Sequence, residues 1–208
     1  MHEDVVDITA LEEFRRDGKD RVERAGGNLT ITVLVIKALA AALRAFPRFN
    51  ASLDSDAEEI VLKRYYHIGL AVDTDDGLLV PVLRDVDRKG LLEIAVEARQ
   101  LAERARRREL DAAQLKGSSF TITNPGSLGG TGFTPIINYP EAAILGLGRA
   151  ALQPAVVTES GEPRIEPRLL LPLCFAFDHR LNDGADAARF VNHLMEVLSD
   201  PEAFILEV

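Results

Sequence analysis

The chain has 208 residues, of which 47% are hydrophobic and 27% are charged, and its formal net charge is -9. This length supports one substantial hydrophobic core, so we predict a single domain over residues 1–208. The composition is typical of a soluble globular protein, and no uncharged apolar stretch is long enough to span a bilayer. An acidic chain also lacks the basic surface that sequence-independent binding to nucleic acid requires.

The N-terminal part of the chain predicts two helices. Residues 5–16 form a short amphipathic pattern in which Thr9 stands three residues before Glu12, the spacing of a helix cap, so a helix is expected to start there. Between residues 29 and 46, apolar positions recur with a period of about 3.6 residues and stop before Pro47. We therefore predict a second helix with one buried face.

The following segments predict strands and helices in no regular order. Further helices are expected at residues 90–108 and 185–198, and Asp-Asp-Gly at residues 75–77 indicates a turn. This mixed order favours an α+β fold, with helices packed on a mixed sheet, over a regularly alternating parallel fold. The predicted strands are residues 49–53, 59–63, 68–72, 78–83, 118–123, 142–147 and 168–177.

The basic residues and the single cysteine further limit the possible functions and the expected location. The only basic cluster, formed by Arg104, Arg106, Arg107 and Arg108, ends the third predicted helix. Cations there complement the helix dipole, so we interpret the cluster as a solvated helix end and not as a nucleic-acid site. The single cysteine, Cys174, lies in an apolar run, which excludes an intrachain disulfide and indicates a reducing compartment, so a cytoplasmic location is expected.

The most informative motif is Asp-His-Arg-Leu-Asn-Asp-Gly at residues 178–184, between an apolar run and the last predicted helix. At this corner His179 could take a proton from a thiol or hydroxyl near neutral pH, provided that a carboxylate holds its ring. The alternative is a surface histidine with local ion pairs. We interpret Asp178 and Arg180 as a structural ion pair. Asp183 could support His179, stabilise the helix N-terminus, or do both.

A second polar motif lies at residues 119–132, where an alternating strand leads into a loop with four glycines and several hydroxyl groups. A glycine-rich loop allows a ligand to approach the backbone closely. The loop lacks the lysine of a P-loop and no dinucleotide fingerprint opens a helix here, so nucleotide binding by those mechanisms is not supported. Hydroxyl groups at the strand end could donate to a developing oxyanion, and a structural turn is the alternative.

These two motifs, with Phe-Thr-Pro-Ile-Ile-Asn-Tyr-Pro-Glu at residues 133–141, resemble the catalytic domain of the dihydrolipoyllysine acyltransferase component of 2-oxoacid dehydrogenase complexes. The resemblance extends in the family's order along nearly the whole chain, through residues 6–9, 46–54, 68–74 and 77–82. It implies a fold like that of chloramphenicol acetyltransferase, in which trimers place each active site between neighbouring subunits.

The resemblance also implies a role for individual residues. His179 would be the general base that deprotonates the thiol of coenzyme A, Thr123 would stabilise the oxyanion, and Asp183 would order the site and support the imidazole. Arg15 would pair with a phosphate of coenzyme A. The coenzyme A contacts implied in this way are Arg15, Thr30, Asp73, Asn124 and Ser127. The other histidines, His2, His67 and His193, match no catalytic position, and no metal is implied.

The resemblance further implies the substrates and partners. The sequence contains neither a lipoyl domain nor a peripheral-subunit-binding domain, so the lipoyl group is expected to arrive as an acyl donor carried on another domain. The expected partners are two further copies in a homotrimer, the lipoyl domain, and the 2-oxoacid dehydrogenase and dihydrolipoamide dehydrogenase components. The basic arm that usually precedes residues 6–9 is missing, so the sequence predicts the trimer and leaves a larger cage open.

Acetyl transfer is the expected reaction, and branched-chain acyl or succinyl transfer within the same family is the alternative. A stand-alone coenzyme A-dependent acetyltransferase acting on a small hydroxylated molecule is a second reading, which the long match outside the histidine motif disfavours. A non-catalytic scaffold is a third, and the presence of Thr123, His179 and Asp183 argues against it.

Overall fold

The computed structural model describes residues 1–127, 129–159 and 162–207, apart from the side chains of Ser127, Glu159 and Glu207. Eleven strands and five helices are defined within these ranges, together with short 3₁₀ turns. In chain order they are β1 His2–Asp7, α1 Thr9–Arg24, α2 Ile31–Ala45, β2 Ala51–Asp54, β3 Glu59–Leu62, β4 Ile68–Leu70, β5 Val72–Thr74, β6 Gly77–Leu79, β7 Val82–Leu83, α3 Leu91–Arg106, β8 Phe120–Thr123, β9 Ala143–Leu147, β10 Ala151–Glu159, β11 Glu162–Phe177, α4 Gly184–Ser199 and α5 Pro201–Glu207.

The main sheet is mixed, as the sequence predicts. Its strands lie in the order β1-β11-β9-β8-β4-β7, and β10 also pairs with β11. The three central strands β4, β8 and β9 are mutually parallel, whereas β11 runs antiparallel to β9, β1 and β10. Two separate hairpins, β2–β3 and β5–β6, lie outside this sheet. The predicted α+β class is therefore confirmed.

The long helices supply most of the packing around the sheet. Thr30 caps α2, because its Oγ1 accepts a hydrogen bond from the Val33 backbone N–H at 3.2 Å. Every residue from Val33 to Leu43 is buried, and the helix ends before Pro47. Helix α4 packs against β1, α1 and α2. The helices predicted from residues 29, 90 and 185 are confirmed. Among the helices of the described ranges, none combines the length and apolarity needed to cross a membrane.

The predicted helix over residues 5–16 is wrong at its start. His2–Asp7 forms a strand that pairs antiparallel with β11, and the helix begins at Thr9 and continues to Arg24. Thr9 is not the cap, since the N-cap residue is Ile8 and makes no side-chain capping bond. The Thr9 hydroxyl instead donates to Asp7 Oδ1 at 2.6 Å and accepts from the Leu169 N–H at 2.8 Å. This long-range pairing with β11 overrides the local helical pattern.

Several predicted strands have other bounds. The strand expected at 168–177 starts at Glu162, and its partner β10 and the short helix α5 were not predicted. Pro81 lacks a backbone N–H and lies between β6 and β7, so the run expected at 78–83 is divided. The run expected at 68–72 is likewise divided into β4 and β5. The predicted turn at residues 75–77 closes the β5–β6 hairpin, with Gly77 at a φ of 117°.

Candidate functional site

A cleft of about 1010 Å³ opens between α2, α3 and the carboxyl ends of the parallel strands β4 and β8. Leu70 and Ala71 line it at the end of β4, Thr123 lines it at the end of β8, and Thr32 does so from the first turn of α2. Small side chains of α3, such as that of Ala102, form the facing wall. The carboxyl ends of parallel strands are a common place for ligands, because the loops that leave the strands spread apart there.

Four of the residues assigned by resemblance line this cleft: Thr30, Asp73, Thr123 and Asn124. The Asn124 Nδ2 donates to Thr32 Oγ1 at 2.8 Å, which ties the end of β8 to the start of α2. Thr123 is half-buried, and within the ranges that the structure describes its hydroxyl makes no hydrogen bond. That hydroxyl is therefore available to a ligand. The side chain of Ser127, also assigned to this site, lies outside the described residues.

Arg15 does not line the cleft. Its guanidinium donates to both carboxylate oxygens of Glu12, at 2.7 and 2.9 Å, and to the carbonyl oxygen of Leu29 at 2.9 Å. Leu29 directly precedes Thr30, the N-cap of α2. The bond to its carbonyl therefore holds the segment that leads into α2, which lines one side of the cleft. The resemblance implied that Arg15 pairs with a phosphate of coenzyme A. In the structure its guanidinium is instead bonded to groups of its own chain.

The Glu12–Arg15 pair predicts a pH-dependent stability. The hydrogen bond from Arg15, supported by Arg16, holds the pKa of Glu12 below its ordinary value of 4.5 despite partial burial. Because this folded-state pKa is depressed, the stabilisation is complete above pH 4.5 and is lost as the pH falls through the lowered value. We expect Glu12→Gln to lower the free energy of unfolding by about 1–3 kcal/mol at neutral pH.

Thermal unfolding of the wild type and Glu12→Gln between pH 7 and pH 3 measures this difference. The two curves should converge at the acidic end of the series, because the wild-type carboxyl is then protonated. A destabilisation that stays constant down to pH 3 would contradict the assignment to this ion pair.

The α3 face of the cleft was missed by the sequence reasoning. Arg99, Glu103 and Arg106 line the cleft together with Ala98 and Ala102, at helical spacing on one face. The Nε of Arg99 donates to Glu103 Oε1 at 2.8 Å. Within the described part of the chain Arg106 forms no close ion pair, although the pKa of Glu103 is lowered by the hydrogen bond from Arg99 and also by the charge of Arg106. Arg106 is exposed in the last turn of α3, as the predicted solvated helix end requires, and its place beside the cleft is the feature that was not predicted.

The glycine-rich loop is shaped largely by contacts within the chain. A Cβ on Gly126 would come within 2.7 Å of the Gly148 carbonyl oxygen, so this position excludes any side chain. Gly129 and Gly130 have φ values of 123° and 90°, which residues with a Cβ rarely adopt. The Gly130 carbonyl accepts a hydrogen bond from the Arg149 N–H at 3.0 Å. The structural turn offered as the alternative therefore accounts for the glycines at these positions.

His179 lies in the exposed turn between β11 and α4. Its imidazole packs against the ring of Phe177, with ring centres 5.5 Å apart. The residues on either side form the predicted ion pair: the Arg180 guanidinium donates to both carboxylate oxygens of Asp178, with Nε 2.9 Å from Oδ1 and one terminal nitrogen 2.6 Å from Oδ2. The Arg180 backbone N–H also donates to Asp178 Oδ1 at 3.0 Å, so this carboxylate bridges the turn that carries the exposed His179.

Asp183 is the N-cap of α4, and its Oδ1 accepts a hydrogen bond from the Asp186 backbone N–H at 2.8 Å. That bond, with smaller contributions from the Ala185 N–H and the charges of Arg189 and His179, lowers the pKa of Asp183. Asp183 is therefore ionised at neutral pH and close enough to His179 to interact with it electrostatically. The helix N-terminal role is confirmed, and it leaves the carboxylate available to support the imidazole.

The sheet register keeps Thr123 and His179 apart within one chain. Gly146 of β9 pairs with Thr123 on one side and with Cys174 on the other, whereas Phe177 pairs with Ala143. Phe177 is thus three residues, or about 10 Å, from the level of Thr123 along the strands. His179 follows Phe177 beyond this end of the sheet, whereas the cleft opens at the opposite end. The two motifs therefore do not converge inside a single chain.

Comparison with known proteins identifies relatives of the whole chain. The family model of 2-oxoacid dehydrogenases acyltransferase (catalytic domain) matches residues 1–206. A Pseudomonas aeruginosa protein, the dihydrolipoyllysine-residue acetyltransferase component of the pyruvate dehydrogenase complex, is 48% identical over 203 residues, which are 98% of this chain and 36% of that protein. The chain thus spans about a third of the length of that relative.

Among the described residues, no three His, Cys, Asp or Glu side chains group as metal ligands.

Solved structures show the same architecture. The Azotobacter vinelandii dihydrolipoamide acetyltransferase, described in a study of one serine, one histidine and one asparagine in its catalytic mechanism, has a TM-score of 0.92 and 47% identity, covering 98% of this chain and 82% of that one. The cubic core of the pyruvate dehydrogenase multienzyme complex gives the same values. Chloramphenicol acetyltransferase, at 17% identity and a TM-score of 0.59 over 93% of this chain and 85% of its own, shares the fold.

Proposed function

This chain belongs to the family of 2-oxoacid dehydrogenase acyltransferase catalytic domains, and on that premise we propose that it transfers an acetyl group from dihydrolipoamide to coenzyme A. The observation that carries the proposal is the cleft that ends at the Thr123 hydroxyl, which has no partner among the described residues, in a fold that also presents an exposed histidine beside an ionised carboxylate. The relatives named for this activity are similar over 98% of the chain.

In the proposed mechanism His179 takes the proton from the thiol of coenzyme A. The thiolate attacks the carbonyl carbon of the acyl-dihydrolipoamide thioester, and Thr123 donates a hydrogen bond to the resulting oxyanion. The tetrahedral intermediate then expels the dihydrolipoamide sulfur, which recovers the proton from the imidazolium. Asp183 stabilises the imidazolium during the reaction. In the Azotobacter structure the histidine and asparagine under study are four positions apart, which is the spacing of His179 and Asp183 here.

Coenzyme A is proposed to occupy the cleft with its thiol beside Thr123. Asp73, Asn124 and Thr30 would contact the pantetheine arm, and Ser127 is proposed as a further polar contact. The nucleotide end would then point toward α3, where Arg106 is available to pair with a phosphate. Because Arg15 is held by Glu12 and the Leu29 carbonyl, its proposed contribution to coenzyme A binding is to fix the loop before Thr30.

A homotrimer is proposed because the register places Thr123 and His179 at opposite ends of the sheet, so that a neighbouring copy has to bring them together. The β10–β11 ribbon supports such an assembly. Val156 and Ile165 are cross-strand neighbours on it and are 70% and 76% exposed. An exposed apolar pair on a two-stranded ribbon is expected to be covered by another surface.

The proposed larger assembly and partners of this chain are based on those of its relatives. The similar cubic core belongs to a pyruvate dehydrogenase complex, so we propose that the trimers form such a core in the cytoplasm. The acetyl group would be delivered by a lipoyl domain, and the 2-oxoacid dehydrogenase and dihydrolipoamide dehydrogenase components would complete the reaction cycle.

Acyl transfer from acetyl-, isobutyryl- and succinyl-dihydrolipoamide to coenzyme A tests the proposed function. We expect acetyl transfer to be fastest and succinyl transfer to be slower by about tenfold or more, because Leu70, Ala71 and Pro125 make the Thr123 end of the cleft apolar and burial of a free carboxylate is costly. Formation of acyl-coenzyme A by the assembled protein is the readout. The absence of transfer from all three donors would refute the proposed function, and a different preferred donor would refute the acetyl assignment.

A further inference from the structure

A buried carboxylate, Glu141, lies just before β9 and has no role in the mechanism above. Glu141 is 5% exposed, and among the described residues every hydrogen bond to its carboxylate is made to Oε1. Oε1 accepts from the hydroxyls of Ser118 and Thr121, at 2.5 and 2.9 Å, and from Asn138 Nδ2 at 3.1 Å. Oε2 is buried and, in the part of the chain that the structure describes, has no hydrogen-bond partner.

This arrangement is costly for folding. Burial raises the pKa of Glu141, although the bonds from Ser118, Thr121 and Asn138 and the charge of Lys63 act in the opposite direction. A buried polar atom without a partner destabilises the folded state, and an apolar residue at this position would avoid that cost. The stability of the core therefore does not explain a carboxylate at this position.

Glu141 is connected to the histidine turn through the backbone of its neighbour. The Glu141 N–H donates to the Asn138 carbonyl at 2.8 Å and closes a tight turn. The carbonyl of the next residue, Ala142, accepts from the Asp178 N–H at 2.8 Å. Ala142 also belongs to a small buried hydrophobic cluster with Leu181 and Ala51. The segment that Glu141 fixes to the start of β8 therefore holds the backbone of Asp178, directly before His179, and shares a buried cluster with Leu181 after it.

We propose that Glu141 is a positioning residue for His179, acting through the Ala142 carbonyl on the backbone of the histidine turn. The inference rests on the proposed function, in which His179 is the general base. Glu141 lies at the end of the sheet opposite the cleft that would hold coenzyme A, and it does not line that cleft. Its loss should therefore affect the chemical step without affecting the binding of coenzyme A.

Steady-state kinetics of Glu141→Ala and Glu141→Gln test this proposal. Displacement of a catalytic group by about 1 Å can cost about 100-fold in rate, so we expect Glu141→Ala to lower kcat by between tenfold and 100-fold. The KM for coenzyme A should stay within about twofold of the wild type, because the cleft is unchanged. Glu141→Gln keeps an acceptor oxygen for Ser118, Thr121 and Asn138 and should retain most of the wild-type kcat.

Leu11→Ala is the matched control, since Leu11 is a buried residue of α1 that belongs to the main core and not to the cluster of Ala142 and Leu181. It should lower the melting temperature without lowering kcat at a temperature at which the trimer is folded. Equal kcat values for Glu141→Ala and Leu11→Ala in folded trimers would overturn the proposal, as would a Glu141→Gln protein as slow as Glu141→Ala. If Glu141→Ala does not assemble, Ser118→Ala, which removes one donor, carries the same expectation of a lower kcat at constant KM.

The parallel measurement of His179→Ala separates the two proposals. A fully active His179→Ala protein would refute the general-base mechanism itself. An inactive His179→Ala protein together with a Glu141→Ala protein of normal kcat would refute the positioning role alone.

Discussion

Replacement of His179 by alanine is expected to abolish acyl transfer while leaving the folded protein and its assembly intact. A general base contributes about 10²- to 10⁴-fold to a rate, and no other histidine lies in the turn that carries this one. The side chain is exposed and, among the described residues, its only ring contact is with Phe177, so its removal should leave the core packing unchanged. Transfer rates and light-scattering mass, measured on the same preparation, test both parts of the expectation.

His2→Ala is the matched control, because His2 lies on β1 and has no assigned role in the reaction. It should retain wild-type activity. A His179→Ala protein that transfers acetyl groups at a rate near that of the wild type would exclude proton abstraction by this imidazole. Loss of the assembled form in His179→Ala alone would show that the turn has a structural role that its exposure does not suggest.

Much of the fold could be predicted where local patterns and packing agree. The apolar period of α2 is bounded by a capping Thr30 and a following Pro47, so both its face and its ends were recognisable. Strand β1 was not, because its first four residues alternate between half-buried and exposed positions, Val6 alone in the strand is buried, and the segment becomes a strand only through pairing with β11. The strand β10 was missed for the same reason, since its partner segment follows it on a largely exposed ribbon.

Some residues of the candidate site could be recognised from the sequence and others could not. The motifs around Thr123 and His179 were recognisable in the sequence, because their residue types carry the chemistry. Arg106 was not, since its place in the cleft depends on how α3 packs beside α2 and β5. The engagement of Arg15 by Glu12 also escaped the sequence reasoning, because a cation three residues from a carboxylate can equally face a ligand.

Thr123→Val should lower kcat by about 10²- to 10³-fold, because the isosteric side chain fills the same space but cannot donate to the oxyanion. The KM for coenzyme A should change little, since the hydroxyl acts mainly in the transition state. Ser55→Ala, which removes an exposed hydroxyl in the turn between β2 and β3, is a matched control and should leave kcat unchanged. A Thr123→Val protein with normal kcat would exclude this hydroxyl as the oxyanion donor.

The two inactive variants together test the most demanding consequence of the sheet register. If each site combines the Thr123 cleft of one subunit with the His179 turn of its neighbour, co-refolded Thr123→Val and His179→Ala chains should regain activity. A His179→Ala subunit retains an intact cleft, and an adjoining Thr123→Val subunit supplies an intact histidine, so about one quarter of the sites in randomly mixed trimers are complete. Separately refolded proteins that are mixed without exchange should stay inactive. If co-refolded trimers show no recovery, the shared site is refuted, because both residues would then have to act within one subunit. The sheet register argues against that outcome, since Thr123 and His179 lie at opposite ends of the sheet.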